Sequence, residues 1–144
     1  MIHIEQVQEV NEDLIQAIKD LFPQLTQFSL LPDEEFIHEI VKSQVTSLWV
    51  AKNNVEKVVG MLSLAIYPTP TGIHALIEDV VVDQAMRRQG IASALTISAC
   101  TFAREKGAKA VSLTSRPIRE AANILYQKLG FERVETNLYR LKLE

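Results

Sequence analysis

Apolar residues recur along this chain with two different periods, and the places where one period gives way to the other predict its elements. Ile2 to Val7 reads as a first strand. After Asn11, a residue type that caps helices well, Leu14, Ile15, Ile18, Leu21 and Phe22 follow at helical spacing, and Pro23 is expected to end that helix. Pro32-Asp33 opens a second helix with Phe36, Ile37, Ile40 and Val41 on one face. Glu34 and Glu35 stand in its first turn, where the helix dipole favours negative charge. Ser47 to Lys52 and Val58 to Tyr67 are β-prone, and Asn53-Asn54 between them tolerates the left-handed backbone of a tight turn. Ile73 to Val82 supplies a long third run.

The second half repeats the alternation of types. Ile91, Leu95, Ser98 and Phe102 form an apolar stripe on a helix that Gly107 stops, and Lys109 to Thr114 is a short strand. A fourth helix is expected to bury Ile118, Ala121, Ala122, Leu125 and Leu129 and to stop at Gly130. Leu138 to Leu143 closes the chain as a strand. The order β-α-α-β-β-β-α-β-α-β predicts an α/β fold with a mixed sheet, unlike the regular alternation of a doubly wound one. With no repeat, linker or low-complexity tract, residues 1–144 are read as a single domain.

The junction between the long strand and the third helix carries the sharpest chemical signal. Arg87-Arg88-Gln89-Gly90-Ile91-Ala92 is a glycine-bearing turn into a helix, and the first N–H groups of a helix have no partner within it. Such a junction can cradle a phosphate. It lacks both the GxGxxG spacing of a dinucleotide site and the GxxxxGK[ST] of a phosphate loop. On these residues alone, an ordinary tight turn remains the alternative.

Composition narrows the partners. A net charge of −3 argues against a general nucleic-acid binder, while Arg87, Arg88, Arg116 and Arg119 offer local positive charge to a small anion. Cys100 is the only cysteine, which excludes an internal disulfide and a cysteine-cluster metal site. It sits mid-helix among apolar neighbours and reads as a small buried hydrophobe. Trp49 reads as core. No run approaches the roughly 18 apolar residues of a membrane span, and the first residues lack a signal-peptide pattern. The expected location is cytoplasmic, with no membrane or nucleic-acid partner.

Three motifs read together resemble the Gcn5-related N-acetyltransferase (GNAT) superfamily. Arg87, Gly90 and Ala92 match its [RQ]xxGx[GA] signature, Glu78-Asp79-Val80-Val81-Val82-Asp83 is similar to its central strand, and Asn123 to Phe131, reading NxxYxxxGF, is similar to its helix and exit. The resemblance covers Trp49 to Phe131. It implies a mixed, mostly antiparallel sheet of about six to seven strands flanked by four helices. It further implies acetyl-CoA as co-substrate, with no metal, and transfer of its acetyl group to a primary amine in a ternary complex.

Site residues follow from the same resemblance. Backbone N–H groups of Arg88, Gly90 and Ala92, with neighbours Gln89, Ile91 and Ser93, would bind the pyrophosphate, and Arg87 stands at the signature's first position. Val80 and Val82 would pair through their backbones with the pantetheine amides and the acetyl carbonyl, beside a strand bulge that splays two parallel strands. Asn123 would hydrogen-bond the cofactor. Tyr126 would be the general acid, since a phenol with a pKa near ~10 can protonate a departing thiolate. Aromatic packing beside Leu125 and Leu129 is the alternative for Tyr126.

The amine must lose a proton before it attacks, and Glu78 leads as the base. Asp79 points to the other face of a regular strand, and a bulge would reverse that parity. His74 lies on the Glu78 side and is a further relay candidate. The acceptor pocket falls in the unpatterned stretches Phe22 to Phe36 and Tyr67 to Ile73. A small-molecule amine is favoured, with Arg116 or Arg140 available to an acidic group on it. A protein-lysine or N-terminal acetyltransferase and a silent acyl-CoA-binding module stay open, as does a homodimer through the last strand.

Overall fold

Strands β1 (His3–Gln6), β2 (Thr46–Lys52), β3 (Val58–Thr69) and β4 (Gly72–Val82) pair antiparallel in sequence order. A fifth, β5 (Val111–Ser112), joins β4 in parallel, giving a mixed sheet ordered β1-β2-β3-β4-β5. Helices α1 (Glu12–Leu25), α2 (Glu34–Lys42) and α3 (Ile91–Glu105) lie in the same unit, Met1–Thr114, of this computed structural model, which describes all 144 residues. The second unit, Ser115–Glu144, contains α4 (Glu120–Lys128). No helix is long and apolar enough to cross a membrane.

Helices α1 and α2 each start where the sequence supplies a side-chain cap. The Asn11 side chain accepts from Leu14 N–H at 2.9 Å, and Asp33 accepts from Phe36 N–H at 2.8 Å. The apolar faces that follow bury Leu14, Ile18, Leu21 and Ile37 against Leu48, Val50, Met61 and Val81 on one side of the sheet. The opposite side belongs to α3. There Trp49 packs edge-on against Phe102 at 5.2 Å, and Ile91, Leu95, Ala99 and Ala103 are almost fully buried. Burial of each large aliphatic side chain stabilises the unit by roughly 1.5–3 kcal/mol.

Gly60 sets how closely α3 approaches. A Cβ at that position would stand 3.2 Å from Ile91 Cγ2 and 3.3 Å from Leu95 Cδ1 and the Val81 carbonyl oxygen. A residue without a side chain lets the first turn of α3 seat on β3 without displacing these neighbours by a few tenths of an ångström.

Several expectations are corrected. The sheet has five strands, not six or seven, because Leu138 to Leu143 forms no ladder: Leu138, Tyr139, Leu141 and Leu143 are 71–91% exposed. A period-two pattern defines a face but does not supply the neighbouring strand that must take up its backbone hydrogen bonds. Pro23 lies inside α1, which runs on to Leu25. Placed in the last turn, a proline forfeits a single intrahelical bond, and Thr26 N–H still reaches the Phe22 carbonyl.

The β3 and β4 strands extend to Thr69 and from Gly72, so their connection shrinks to Pro70-Thr71. In the β2–β3 turn the left-handed residue is Glu56, at φ 63°, rather than Asn53 or Asn54. On α3 the buried stripe runs through Ala99 and Ala103, with Ser98 and Phe102 only partly covered, because the small residues permit close approach to the sheet. The strand expected from Lys109 to Thr114 is confined to Val111–Ser112. In the second unit α4 begins at Glu120, with Ile118 83% exposed and Ala121 exposed, and Tyr126 is its buried residue.

Candidate active site

The bulge anticipated near Val80 is present on β4. Ser63 pairs with Glu78 and Met61 with Val81, so Asp79 and Val80 together oppose Leu62. Asp79 absorbs the extra residue with a left-handed backbone at φ 52°. Parity reverses across it. Before the bulge Ile77 shares a face with Leu64, on the α3 side; after it Val82 shares that face with Gly60, while Glu78 and Val81 belong to the α1 and α2 side. Both carboxylates, Glu78 and Asp79, are exposed.

Beyond the pair Leu76–Ser112, β4 has no partner on its β5 edge. Ile77 through Val82 therefore present one backbone edge without a ladder, and Val80 and Val82 lie in that stretch. An unpaired edge can hydrogen-bond an extended amide-bearing molecule as a neighbouring strand would.

From this edge the chain passes directly into the turn that starts α3. Asp83 N–H donates to Val59 carbonyl at 2.8 Å, the Asp83 side chain accepts from Ala85 N–H, and Gln84–Met86 forms one 3-10 turn. Gln84 N–H donates to Gln24 Oε1 of α1 at 2.8 Å. Arg88 at φ 66° and Gly90 at φ 76° then bracket Gln89 with left-handed backbone. Arg87, Arg88, Gln89 and Gly90 are all exposed.

Gly90 is the N-cap of α3 and offers no side chain to its N–H groups. The N–H groups of Ile91, Ala92 and Ser93 thus stand at a helix start without an internal or side-chain partner, with the positive end of the dipole behind them. This arrangement fits a diphosphate. A Cβ at Gly90 would meet nothing within 4 Å, so glycine is favoured here by the left-handed φ and not by crowding.

Tyr126 and Asn123 lie in the second unit. Tyr126 is 7% exposed and packs edge-on against Phe131 at 5.7 Å. Gly130, at φ 100°, turns the chain so that Phe131 N–H reaches the Tyr126 carbonyl. Burial pushes the phenol above the usual tyrosine range, with Arg119 pulling partly the other way. The Asn123 side-chain amide donates to the carbonyls of Arg116 at 3.0 Å and Arg119 at 2.8 Å, pinning the approach to α4. Its Oδ1 is the atom available to a ligand.

Other candidates fall elsewhere. His74 sits at the β3–β4 hairpin end, stacked on Tyr67 at 5.6 Å and within 2.6 Å of Thr69 Oγ1 and 3.0 Å of Thr71 Oγ1. Cys100 is half-buried, and burial raises its thiol pKa, which fits a packing residue. Arg116 and Arg140 are exposed. Sequence reasoning missed Gly60 and Gln24. Gly60 had a signal, a glycine inside a strand pattern, whereas Gln24 had none because its role depends on a contact across the sequence.

A family model, "Acetyltransferase (GNAT) family", matches residues 11–131. The chain belongs to that family. Human N-acetyltransferase 8 is 32% identical over 133 residues, covering 83% of this chain and 58% of that protein. The chain spans about half the length of the curated relatives it matches. Among solved structures, an acetyltransferase of Trypanosoma brucei superposes with a TM-score of 0.79 at 29% identity, covering 99% of this chain and all of that one. An aminoglycoside N-acetyltransferase in complex with the bisubstrate analogue CoA-S-monomethyl-acetylneamine shares the fold, with a TM-score of 0.80, 20% identity and coverage of 99% and 98%.

Proposed function

We propose that this protein transfers an acetyl group from acetyl-CoA to a primary amine, with a small molecule favoured, by direct attack in a ternary complex. The observation that carries the reading is the open cradle at Arg88–Ser93 lying next to a bulged, half-unpaired β4 in a chain of this family. Acetyl-CoA supplies a thioester carbonyl for the amine to attack and a thiolate as leaving group. Backbone N–H groups of Arg88, Gln89, Gly90, Ile91, Ala92 and Ser93 hold the diphosphate, with Arg87 adding positive charge beside them. Val80 and Val82 present backbone groups to the pantetheine arm.

Tyr126 is the proton donor in this scheme. Its raised pKa keeps the phenol protonated throughout the neutral range, and donation is lost only as pH rises through that raised value, above about 10. Glu78 takes the proton of the amine. Asn123 meets the cofactor through Oδ1. A structural neighbour of the same fold, crystallised with an acetylneamine–CoA conjugate, favours a small amine acceptor over a peptide.

Calorimetric titration with CoA, followed by a screen of amines and peptides with acetyl-CoA detecting released thiol, tests the reading. Heat at sub-millimolar CoA and turnover with a small amine are expected. Tyr126→Phe should lower kcat roughly a hundredfold with little change in CoA affinity. Absence of any heat at millimolar CoA would overturn the proposal, and CoA binding without turnover of any amine would leave only an acyl-CoA-binding module.

A further inference from the structure

The diphosphate cradle is held from outside its own strand and helix. Gln24, in the last turn of α1, receives Gln84 N–H on Oε1 at 2.8 Å, while its Nε2 donates to the Asp20 carbonyl at 3.3 Å. The two bonds fix which way the amide faces, because the oxygen must meet the N–H and the nitrogen the carbonyl. Gln84 opens the 3-10 turn that leads within a few residues to Arg87, Arg88 and Gly90. The contact joins positions 60 apart in sequence.

Position along the chain gives that bond its meaning. Upstream, β4 is clamped by its ladder with β3 as far as Val82, and Asp83 N–H extends the clamp to Val59. Downstream, α3 is clamped by burial of Ile91 and Leu95. The intervening stretch from Gln84 to Gly90 is mostly exposed and has left-handed backbone at Arg88 and Gly90, which bury no side chain to hold their geometry. Gln24 fastens this stretch at its first residue. We infer that Gln24 is a positioning residue for the cradle, holding the Gln84–Met86 turn so that the N–H groups after it converge on one anion. The inference rests on the proposed acetyl-CoA reading.

Calorimetric titration of CoA into the full chain tests it, using Gln24→Met, which keeps the length without an acceptor, and Gln24→Glu, which keeps an acceptor. All titrations are run in about 0.5 M salt, where the added carboxylate charge is screened within a few ångströms. One neutral hydrogen bond corresponds to a two- to tenfold change, so Gln24→Met should weaken CoA by about that factor and raise KM for acetyl-CoA in step, with kcat at saturation unchanged. Gln24→Glu should bind within about twofold of the parent. Parent-like binding by Gln24→Met, or equal weakening in both variants, overturns the inference. A parent chain that gives no heat with CoA removes the acetyl-CoA reading and this inference together, whereas a normal parent with an unaffected Gln24→Met removes the inference alone.

Discussion

Two turns of this molecule use the same backbone device to opposite ends. Between β2 and β3 the chain reverses with Glu56 left-handed, and between β4 and α3 it turns with Arg88 and Gly90 left-handed. The first turn consumes its own donors. Asn53 Oδ1 accepts from Val55 and Lys57 N–H at 3.1 and 3.0 Å, Glu56 N–H reaches the Asn53 carbonyl, and Asn53 N–H reaches Lys57. The second turn opens a helix whose cap residue has no side chain, and its donors stay available. A positive φ or a glycine therefore does not make an anion site. What distinguishes the cradle is that nothing in the protein has already claimed its N–H groups.

The largest test of that contrast is Gly90→Val. A β-branched residue at φ 76° carries a strain of roughly 1–3 kcal/mol, and relief of that strain would swing the N–H groups off their common target. CoA affinity is expected to fall at least tenfold by calorimetry, and unchanged affinity would dissolve the contrast. Next in size is the remaining left-handed residue other than glycine, Asp79 in the β4 bulge. Asp79→Val should lower unfolding free energy in urea by about 1–2 kcal/mol, while Asp79→Gly matches or exceeds the parent, because only the former opposes the left-handed backbone.

Asn53→Ala should cost about 1 kcal/mol of stability by stripping two N–H groups of their acceptor, yet leave CoA binding untouched. Weakened CoA binding in this variant would show that the two turns are not independent. The smallest effect concerns charge beside the closed turn, where Lys52 faces both Glu5 and Glu56. The Lys52 hydrogen bond lowers the Glu5 pKa below 4.5, so the pair's contribution is present above that pH and is lost as pH falls through the lowered value. Melting curves of Glu5→Gln and the parent should differ slightly at neutral pH and converge at acidic pH.

Elements were legible in the sequence where local pattern and burial agree. Asn11 and Asp33 announced the starts of α1 and α2, and the apolar run into Gly90 announced β4 and α3, because caps and periodicity act over a few residues. Leu138 to Leu143 misled because an alternating pattern needs a neighbouring strand, which no local signal reports. Ile118, which lies before α4, and Ala121 on it misled in the same way. Within the site, the cradle and the bulge were readable as a motif, but the parity of Glu78 could only follow from the register of Met61 and Ser63. Gln24 stayed invisible because nothing near Gln84 in sequence specifies it.

Gly60 has a consequence for how such a scaffold can be retuned. The height of α3 above β3 is set at one bare position, so on the acetyl-CoA reading the depth at which the diphosphate would meet the helix start depends on a residue that never touches it. Adding a single methyl there works like a shim under a hinge. It would press on Ile91 Cγ2, Leu95 Cδ1 and the Val81 carbonyl, and the few tenths of an ångström they must yield would reach the first turn of α3 without altering any group in the turn itself.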